Sequence, residues 1–321
     1  MAHREVIALD IGQIDTQIQA TINQQSAVER TLNVKEPYQL VSRTFQQENS
    51  SIVIGDGHDC SPVTVGGTTA SPVIIAGPCS VENREQMRLA AQAVKEAGGQ
   101  ILRGGAFKPR TSPYQFQGLG IEGLHILAEA RQETGLPIIT EVMEPAMVEI
   151  TAQYADILQI GARNMQNYPL LRAVGKQSQQ RPVLLKRGIA ATIDEWLLAA
   201  EYIVASGNPR VILCERGIRS YDTHTRNLLD LTCIPLLQEL THLPILVDPS
   251  HGTGRREFVP TMSRASIAAG AAGLIIEVHP DPDHALSDGQ QTITPAQLRK
   301  IVYEARAIAH MIREETLLPV A

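Results

Sequence analysis

No stretch of the 321-residue chain approaches 18 uninterrupted apolar residues, so no membrane span is expected. The start, Met1-Ala2-His3-Arg4-Glu5, lacks the basic opening, apolar stretch and small-residue cleavage site of a secretory signal. Cysteine is scarce. Cys60, Cys79, Cys214 and Cys233 show no CxxC spacing, and so few thiols in so long a chain read as reduced intracellular cysteines, not a disulfide framework. A cytoplasmic protein is expected. A formal net charge of −6 argues against general nucleic-acid binding.

What the chain does have is a repeated pattern in which a short apolar segment ends in polar or charged residues. Val73–Ala76 runs into Gly77-Pro78-Cys79-Ser80, and Gln100–Leu102 into Arg103 and then Lys108-Pro109-Arg110-Thr111-Ser112. Pro137–Ile139 ends at Thr140-Glu141, and Ile157–Ile160 at Gly161-Ala162-Arg163-Asn164. Val183–Leu185 ends at Lys186-Arg187-Gly188, and Val211–Leu213 at Cys214-Glu215-Arg216. Pro244–Val247 ends at Asp248-Pro249-Ser250-His251, and Gly273–Ile276 at Glu277-Val278-His279. Strands this short and apolar are buried on both faces.

Helical patterns alternate with them. Arg84–Ala97 is stopped by Gly98-Gly99, Thr192-Ile193-Asp194-Glu195 forms a capping box, and Thr294-Pro295 opens a last amphipathic helix. Shorter patterns fall at about 119–134, 144–153, 167–176, 225–239 and 258–269. Eight βα units, with no GxGxxG turn after the first strand, predict an α/β fold of the closed (βα)8 TIM-barrel type over residues 71–321. Residues 1–40 read as a truncated βαβ segment, with strands at Glu5–Ile11 and Arg30–Val34 around a helix at Asp15–Ala27. Residues 41–70 read as a linker and a hairpin under the barrel, from Ser51–Gly55 and Val63–Val65. His58 and Cys60, in its turn, are given a structural reading.

Barrel enzymes place their chemistry at the C-terminal ends of the strands. Two groups of residues converge there. Cys79, His251, Glu277 and Asp288 come from adjacent strands after closure; a thiolate, an imidazole and two carboxylates suit one first-row divalent metal such as Mn, Fe, Co or Zn. His279 and His284 are competing ligands. The second group is cationic: Arg103, Lys108, Arg110, Arg163, Lys186 and Arg216, with the hydroxyls of Thr111 and Ser112. Such a cluster repels itself unless a phosphate or carboxylate neutralises it. Glu141, Glu215 and Asp248 share the rim and could pair with these cations or move protons. A metal facing a cation cluster points to metal-assisted chemistry on phosphorylated carbonyl compounds.

At these residues the chain resembles the type I beta subgroup of 3-deoxy-D-arabino-heptulosonate 7-phosphate (DAHP) synthases. The likeness is carried by Ala76-Gly77-Pro78-Cys79-Ser80, by the run from Leu102 to Tyr114, by Gln159–Asn164, by Leu185–Gly188, by Val247–His251, and by Glu277–Pro280 with Ser287-Asp288-Gly289. The resemblance implies condensation of phosphoenolpyruvate with erythrose 4-phosphate and water, the entry step of the shikimate pathway. It implies a metal, Mn favoured, on Cys79, His251, Glu277 and Asp288. It implies phosphoenolpyruvate on Arg103, Lys108, Arg163, Lys186 and Arg216, and the sugar phosphate on Arg110, Thr111 and Ser112. Cys79, Lys108, Glu141 and His251 are the expected catalytic residues. A homo-oligomer, tetramer or dimer, is also implied. The sister enzyme, which makes 3-deoxy-D-manno-octulosonate 8-phosphate from arabinose 5-phosphate, has Lys-Ala-Asn-Arg-Ser where this chain has Lys108-Pro109-Arg110-Thr111-Ser112. A catalytically silent sugar-phosphate sensor is a further alternative. Members of the subgroup often carry an N-terminal feedback domain of which residues before Tyr38 hold about half, so weak or absent inhibition by Tyr or Phe is expected. No chorismate mutase-like helical domain is apparent.

Overall fold

The computed structural model describes residues 16–29, 31, 35–55, 60–67, 71–110 and 112–316. The strands read at Glu5–Ile11 and Arg30–Val34 fall on residues that, apart from Thr31, lie outside these, as does His58. The helix read at Asp15–Ala27 is α1 (Thr16–Asn23). Antiparallel β1 (Ser51–Ile54) and β2 (Val63–Gly66) form the expected hairpin, with Ile52 opposite Val65.

Apolar segments that bury both faces are satisfied within a parallel sheet covered by helices. The eight segments do this as β3 (Val73–Gly77), β4 (Ile101–Arg103), β5 (Ile138–Glu141), β6 (Ile157–Ile160), β7 (Val183–Lys186), β8 (Val211–Glu215), β9 (Ile245–Val247) and β10 (Gly273–Glu277). Each pairs in parallel with the next, and β10 pairs with β3, closing the barrel. Around it run α2 (Arg84–Ala97), α3 (Ile121–Thr134), α4 (Val148–Tyr154), α5 (Tyr168–Lys176), α6 (Ile193–Ala205), α7 (Cys233–Leu240), the short α8 (Pro249–Thr253), α9 (Val259–Ala268) and α10 (Pro295–Thr316). The end signals act as read. Gly98 closes α2 in the left-handed region at φ 85°, and Thr192 and Glu195 form a complete capping box on α6.

Alternation along each strand separates two cores. Ile75, Ile101, Ile139, Ile157, Leu184, Ile212, Leu246 and Ile275 fill the barrel interior, and Ile52, Ile54 and Val65 of the hairpin close its N-terminal end. The intervening residues, such as Ile74, Leu102, Leu158 and Leu213, pack outward against the helices, with Trp196 fully buried among them. Among the described residues no helix is long and apolar enough to cross a membrane.

One sequence expectation is corrected. The helix expected over 225–239 begins only at Cys233; residues before it form a loop in which Leu228 bridges back to Ile218. The turn after β9 is helical, with Asp248 capping α8 and Pro249 in its first turn. The charged strand ends Arg103, Glu141, Lys186, Glu215 and Glu277 are the last residues of their strands.

Candidate active site

Strand parity decides which strand-end residues reach the barrel mouth. Arg103, Glu141, Lys186 and Glu277 lie two positions after the interior residues Ile101, Ile139, Leu184 and Ile275, and therefore point inward. Arg187 and Glu215 have the opposite parity and face the helix layer. There the Arg187 guanidinium lies 3.1 Å from Glu215 Oε2 and 2.9 Å from Asp230 Oδ2, over the Trp196 ring. They are structural, which takes Glu215 out of the carboxylates read at the rim.

The mouth brings together the four expected metal-ligand types. Cys79 Sγ and one carboxylate oxygen each of Glu277 and Asp288 lie within 4.8 Å of one another. His251 Nε2 is 3.4 Å from Glu277 Oε1 and 4.0 Å from Asp288 Oδ2. The His251 ring is oriented by Asp248: Nδ1 lies 2.7 Å from Asp248 Oδ2, and the backbone N–H of His251 donates to Oδ1 at 2.9 Å. With Nδ1–H donating, Nε2 turns its lone pair into the cluster, the usual arrangement behind a metal-binding imidazole. Glu277 Oε1 is buried and makes no hydrogen bond, while Oε2 accepts from Gln291 Nε2 at 2.6 Å. A buried lone pair and convergent carboxylates facing one another are what a divalent cation would neutralise, so the residues fit such an ion.

The charges bear on this unevenly. Burial pushes the Cys79 thiol up to about 12, with Glu277 adding to the effect and Lys108 opposing it, so the sulfur would ligate as a thiolate only with the charge of a cation beside it. Burial also raises the Asp248 carboxyl, but His251 and Lys186 outweigh it and hold Asp248 well below the usual carboxylate range. Burial lowers His251 despite the neighbouring Asp248 and Glu277, which favours the neutral ring that a metal requires. His279 is not part of the cluster. Its Nδ1 accepts from the Asp281 N–H at 2.9 Å, and its Nε2 faces Glu82 at 3.6 Å. His284 is exposed and pairs with Asp281.

Beside the cluster sit the buried cations. Lys108 Nζ donates to the Cys79 carbonyl at 2.8 Å and lies 3.0 Å from its sulfur. Arg103 Nη2 is 3.1 Å from Glu277 Oε1, whereas Arg103 Nε and Nη1 are buried donors without a hydrogen bond. Lys186 pairs with Asp248. Arg216 is 5% exposed, and the hydrogen bond it makes is to the Gly217 carbonyl at 3.3 Å. Glu141 is the one carboxylate of the three uncertain ones that keeps a free buried oxygen: Oε2 accepts from Gln159 Nε2 at 3.3 Å, and Oε1 has no partner. Gly161 makes room for it, since a Cβ there would lie 2.0 Å from Glu141 Oε1.

Arg163, a phosphoenolpyruvate candidate, and the sugar-phosphate candidates lie further out. Arg163 is exposed and donates to the Pro109 carbonyl at 3.3 Å, which puts the end of β6 beside the loop after β4. Arg110 is half-buried, with Nε on the Phe116 carbonyl at 2.9 Å, and Ser112 Oγ lies 3.4 Å from the Tyr114 N–H. Thr111 lies outside the described residues. Gln159 and Gln291, which orient Glu141 and Glu277, went unnoticed in the sequence. Gln159 was legible from its inward parity two residues after Ile157; Gln291, at the far end of an irregular loop, gave no signal.

A closed (βα)8 barrel that gathers buried cations, carboxylates and a thiol at the C-terminal ends of its strands is a barrel enzyme. Residues 45–313 match the DAHP synthetase I family. A phospho-2-dehydro-3-deoxyheptonate aldolase of Thermotoga maritima is 50% identical over 282 residues, covering 88% of this chain and 80% of its own length. The crystal structure of a DAHP synthase from Thermotoga maritima superposes with a TM-score of 0.81 at 47% identity, over 94% of this chain and 86% of the other. A 2-dehydro-3-deoxyphosphooctonate aldolase of Syntrophotalea carbinolica is more distant, at 35% identity over 273 residues, 79% of this chain and 96% of its own length. The chain belongs to the DAHP synthetase I family.

Proposed function

We propose that this enzyme is a DAHP synthase, condensing phosphoenolpyruvate with erythrose 4-phosphate and water to give DAHP and phosphate. The observation that carries the proposal is Arg103: two buried donors left without a partner at the barrel mouth, beside Lys108 and Lys186. Buried unsatisfied guanidinium donors cost free energy that a bidentate anion recovers. The carboxylate and phosphate of phosphoenolpyruvate supply such an anion, with Arg163 and Arg216 completing the cradle. Cys79, His251, Glu277 and Asp288 would hold one divalent metal, Mn favoured. Bound there, a metal supplies Lewis acidity toward an aldehyde oxygen.

The chain's own groups account for the rest. Fixed cations orient phosphoenolpyruvate so that C3 meets the aldehyde of the sugar, and they neutralise its carboxylate and phosphate without reorganising while C2 becomes electron-deficient and open to water. Glu141 Oε1, buried and unpaired, positions the water that adds at C2 or takes its proton. Phosphate then leaves by C–O cleavage. Arg110, Thr111 and Ser112 hold the sugar phosphate, and Pro109 stiffens that loop for the four-carbon aldose. A cytoplasmic setting and assembly as a homo-oligomer accompany this reading.

The test compares loss of phosphoenolpyruvate absorbance with erythrose 4-phosphate and with arabinose 5-phosphate. Turnover confined to the four-carbon sugar is expected. Preference for the five-carbon sugar moves the chain to the sister activity, and no turnover with either, on metal-loaded protein, leaves a sugar-phosphate sensor.

A further inference from the structure

Cys79 and Asp288 meet at 3.2 Å although 209 residues separate them, and they stand on two irregular loops, one after β3 and one after β10. Strand pairing fixes the bases of these loops and not their tips. The loop after β10 is pinned at its base, where Val278 bridges to Ile293. Asp288 near its tip sits in the left-handed region at φ 53° and ψ 29°. A residue with a Cβ stays there only where its surroundings hold it.

Some of those surroundings are cations from elsewhere, Arg226 at 3.8 Å from Asp288 Oδ1 and Arg256 donating to the Gly289 carbonyl at 2.7 Å, and the rest belong to the other loop. Glu82, three residues after Cys79, accepts from the Leu286 N–H through Oε1 at 2.8 Å. Its Oε2 faces His279 Nε2 at 3.6 Å, with both side chains at least nine-tenths buried. The Asp281 N–H occupies His279 Nδ1, which leaves the ring proton on Nε2, toward Glu82. Ser80 Oγ and Ser287 Oγ share a buried hydrogen bond of 2.9 Å. Each contact between the two loops joins a residue within three positions of Cys79 to the loop that presents Asp288.

We infer that Glu82 is a positioning residue that locks the Asp288 loop onto the Cys79 loop, and so sets the spacing of two metal ligands it does not itself join. Its buried carboxylate is a clamp with two jaws: a hydrogen bond to Leu286 that fixes the loop's height, and a facing imidazole at His279 that fixes its root. The inference rests on the metal reading of the mouth.

The test is the affinity of the metal-stripped full chain for Mn²⁺ alone, measured by calorimetry for wild type, Glu82→Ala, Glu82→Gln, Ser287→Ala and Asp288→Ala. Loss of a group behind a metal ligand typically weakens binding by about 10–100-fold. Glu82→Ala is expected to fall in that range. Glu82→Gln, whose amide oxygen still accepts from Leu286 while its NH2 meets the His279 Nε2–H, is expected to lose clearly less than Glu82→Ala, and Ser287→Ala to weaken binding several-fold. Phosphoenolpyruvate binding to the metal-free protein, which uses cations that none of these three substitutions touches, should not change in any of them. Wild-type Mn²⁺ affinity in Glu82→Ala overturns the inference, as does equal loss in Glu82→Gln. If Glu82→Ala does not fold, Ser287→Ala decides: unchanged Mn²⁺ affinity there overturns it. Asp288→Ala separates the two readings, because wild-type affinity in that variant shows that the metal assignment itself has failed.

Discussion

Replacing Arg103 with leucine isolates the anion-binding half of the mouth. The side chain is 5% exposed, and two of its donors, Nε and Nη1, are buried without a partner. If phosphoenolpyruvate fills both, the enzyme gains two hydrogen bonds to a charged group, each contributing roughly 1.5–3 kcal/mol. Losing both removes about 3–6 kcal/mol of transition-state binding, or about 10²–10⁴-fold in kcat/KM for phosphoenolpyruvate. Stability should respond less, because two effects oppose. Arg103→Leu removes the unsatisfied donors, but it also strips Glu277 of the cation 3.1 Å away. Arg103→Lys, with its charge but no fork, should fall between wild type and leucine. The assay is initial-rate loss of phosphoenolpyruvate absorbance, with circular dichroism melts as the control. A loss below tenfold for Arg103→Leu, with the fold intact, refutes the view that the two free donors bind substrate.

Other parts of the structure make separate demands. Gly161→Ala should drive its Cβ into Glu141 Oε1, 2.0 Å away, and lower kcat about 100-fold or more, as Glu141→Gln should, with the KM for phosphoenolpyruvate little changed; near-normal kcat in both variants removes Glu141 from the chemistry. Arg187→Met leaves Glu215 buried without its cation, and breaking such a pair costs about 3–5 kcal/mol, which chemical denaturation would detect; a loss under about 1 kcal/mol contradicts the structural role given to this pair. His242, which joins Ser50 and the Leu40 carbonyl at the base of the barrel, is pushed below its ordinary pKa of 6.5 by burial. Above pH 6.5 neither state binds the proton and the full stability is present; as pH falls, the unfolded chain is protonated first and stability is lost until the folded pKa is passed. The melting temperature should therefore drop as pH falls below about 6.5 more steeply in wild type than in His242→Gln, and equal slopes would exclude His242 as the cause.

The barrel was legible because eight short apolar segments recur at βα spacing, a pattern that few other folds can satisfy. Direction at the strand ends was harder, since a charged residue after an apolar run does not say which way it points; inside a barrel mouth Arg103, Lys186 and Glu277 are the last inward rungs. Adjacent cations show the limit. Lys186 and Arg187 look alike in sequence, yet parity with Leu184 sends one into the mouth and the other to Glu215 and Asp230. The apolar run Leu228-Leu229-Asp230-Leu231 mimicked a helix, but Leu229 is buried in a loop that also carries Asp230 to Arg187, a contact no local pattern specifies. Asp248 preceding Pro249 was a helix-start signal passed over. His251 was named over His279 from the sequence; the hydrogen bonds of the two rings, one held by the Asp248 carboxylate and the other by the Asp281 N–H, give the physical reason.

The most direct test of the whole account is to strip the protein with EDTA, titrate Mn²⁺ back, and follow phosphoenolpyruvate consumption with each aldose phosphate. The account predicts no turnover after chelation, recovery complete at one ion per chain, and recovery with erythrose 4-phosphate alone. Turnover that survives complete removal of metal, or that returns only with arabinose 5-phosphate, would contradict it.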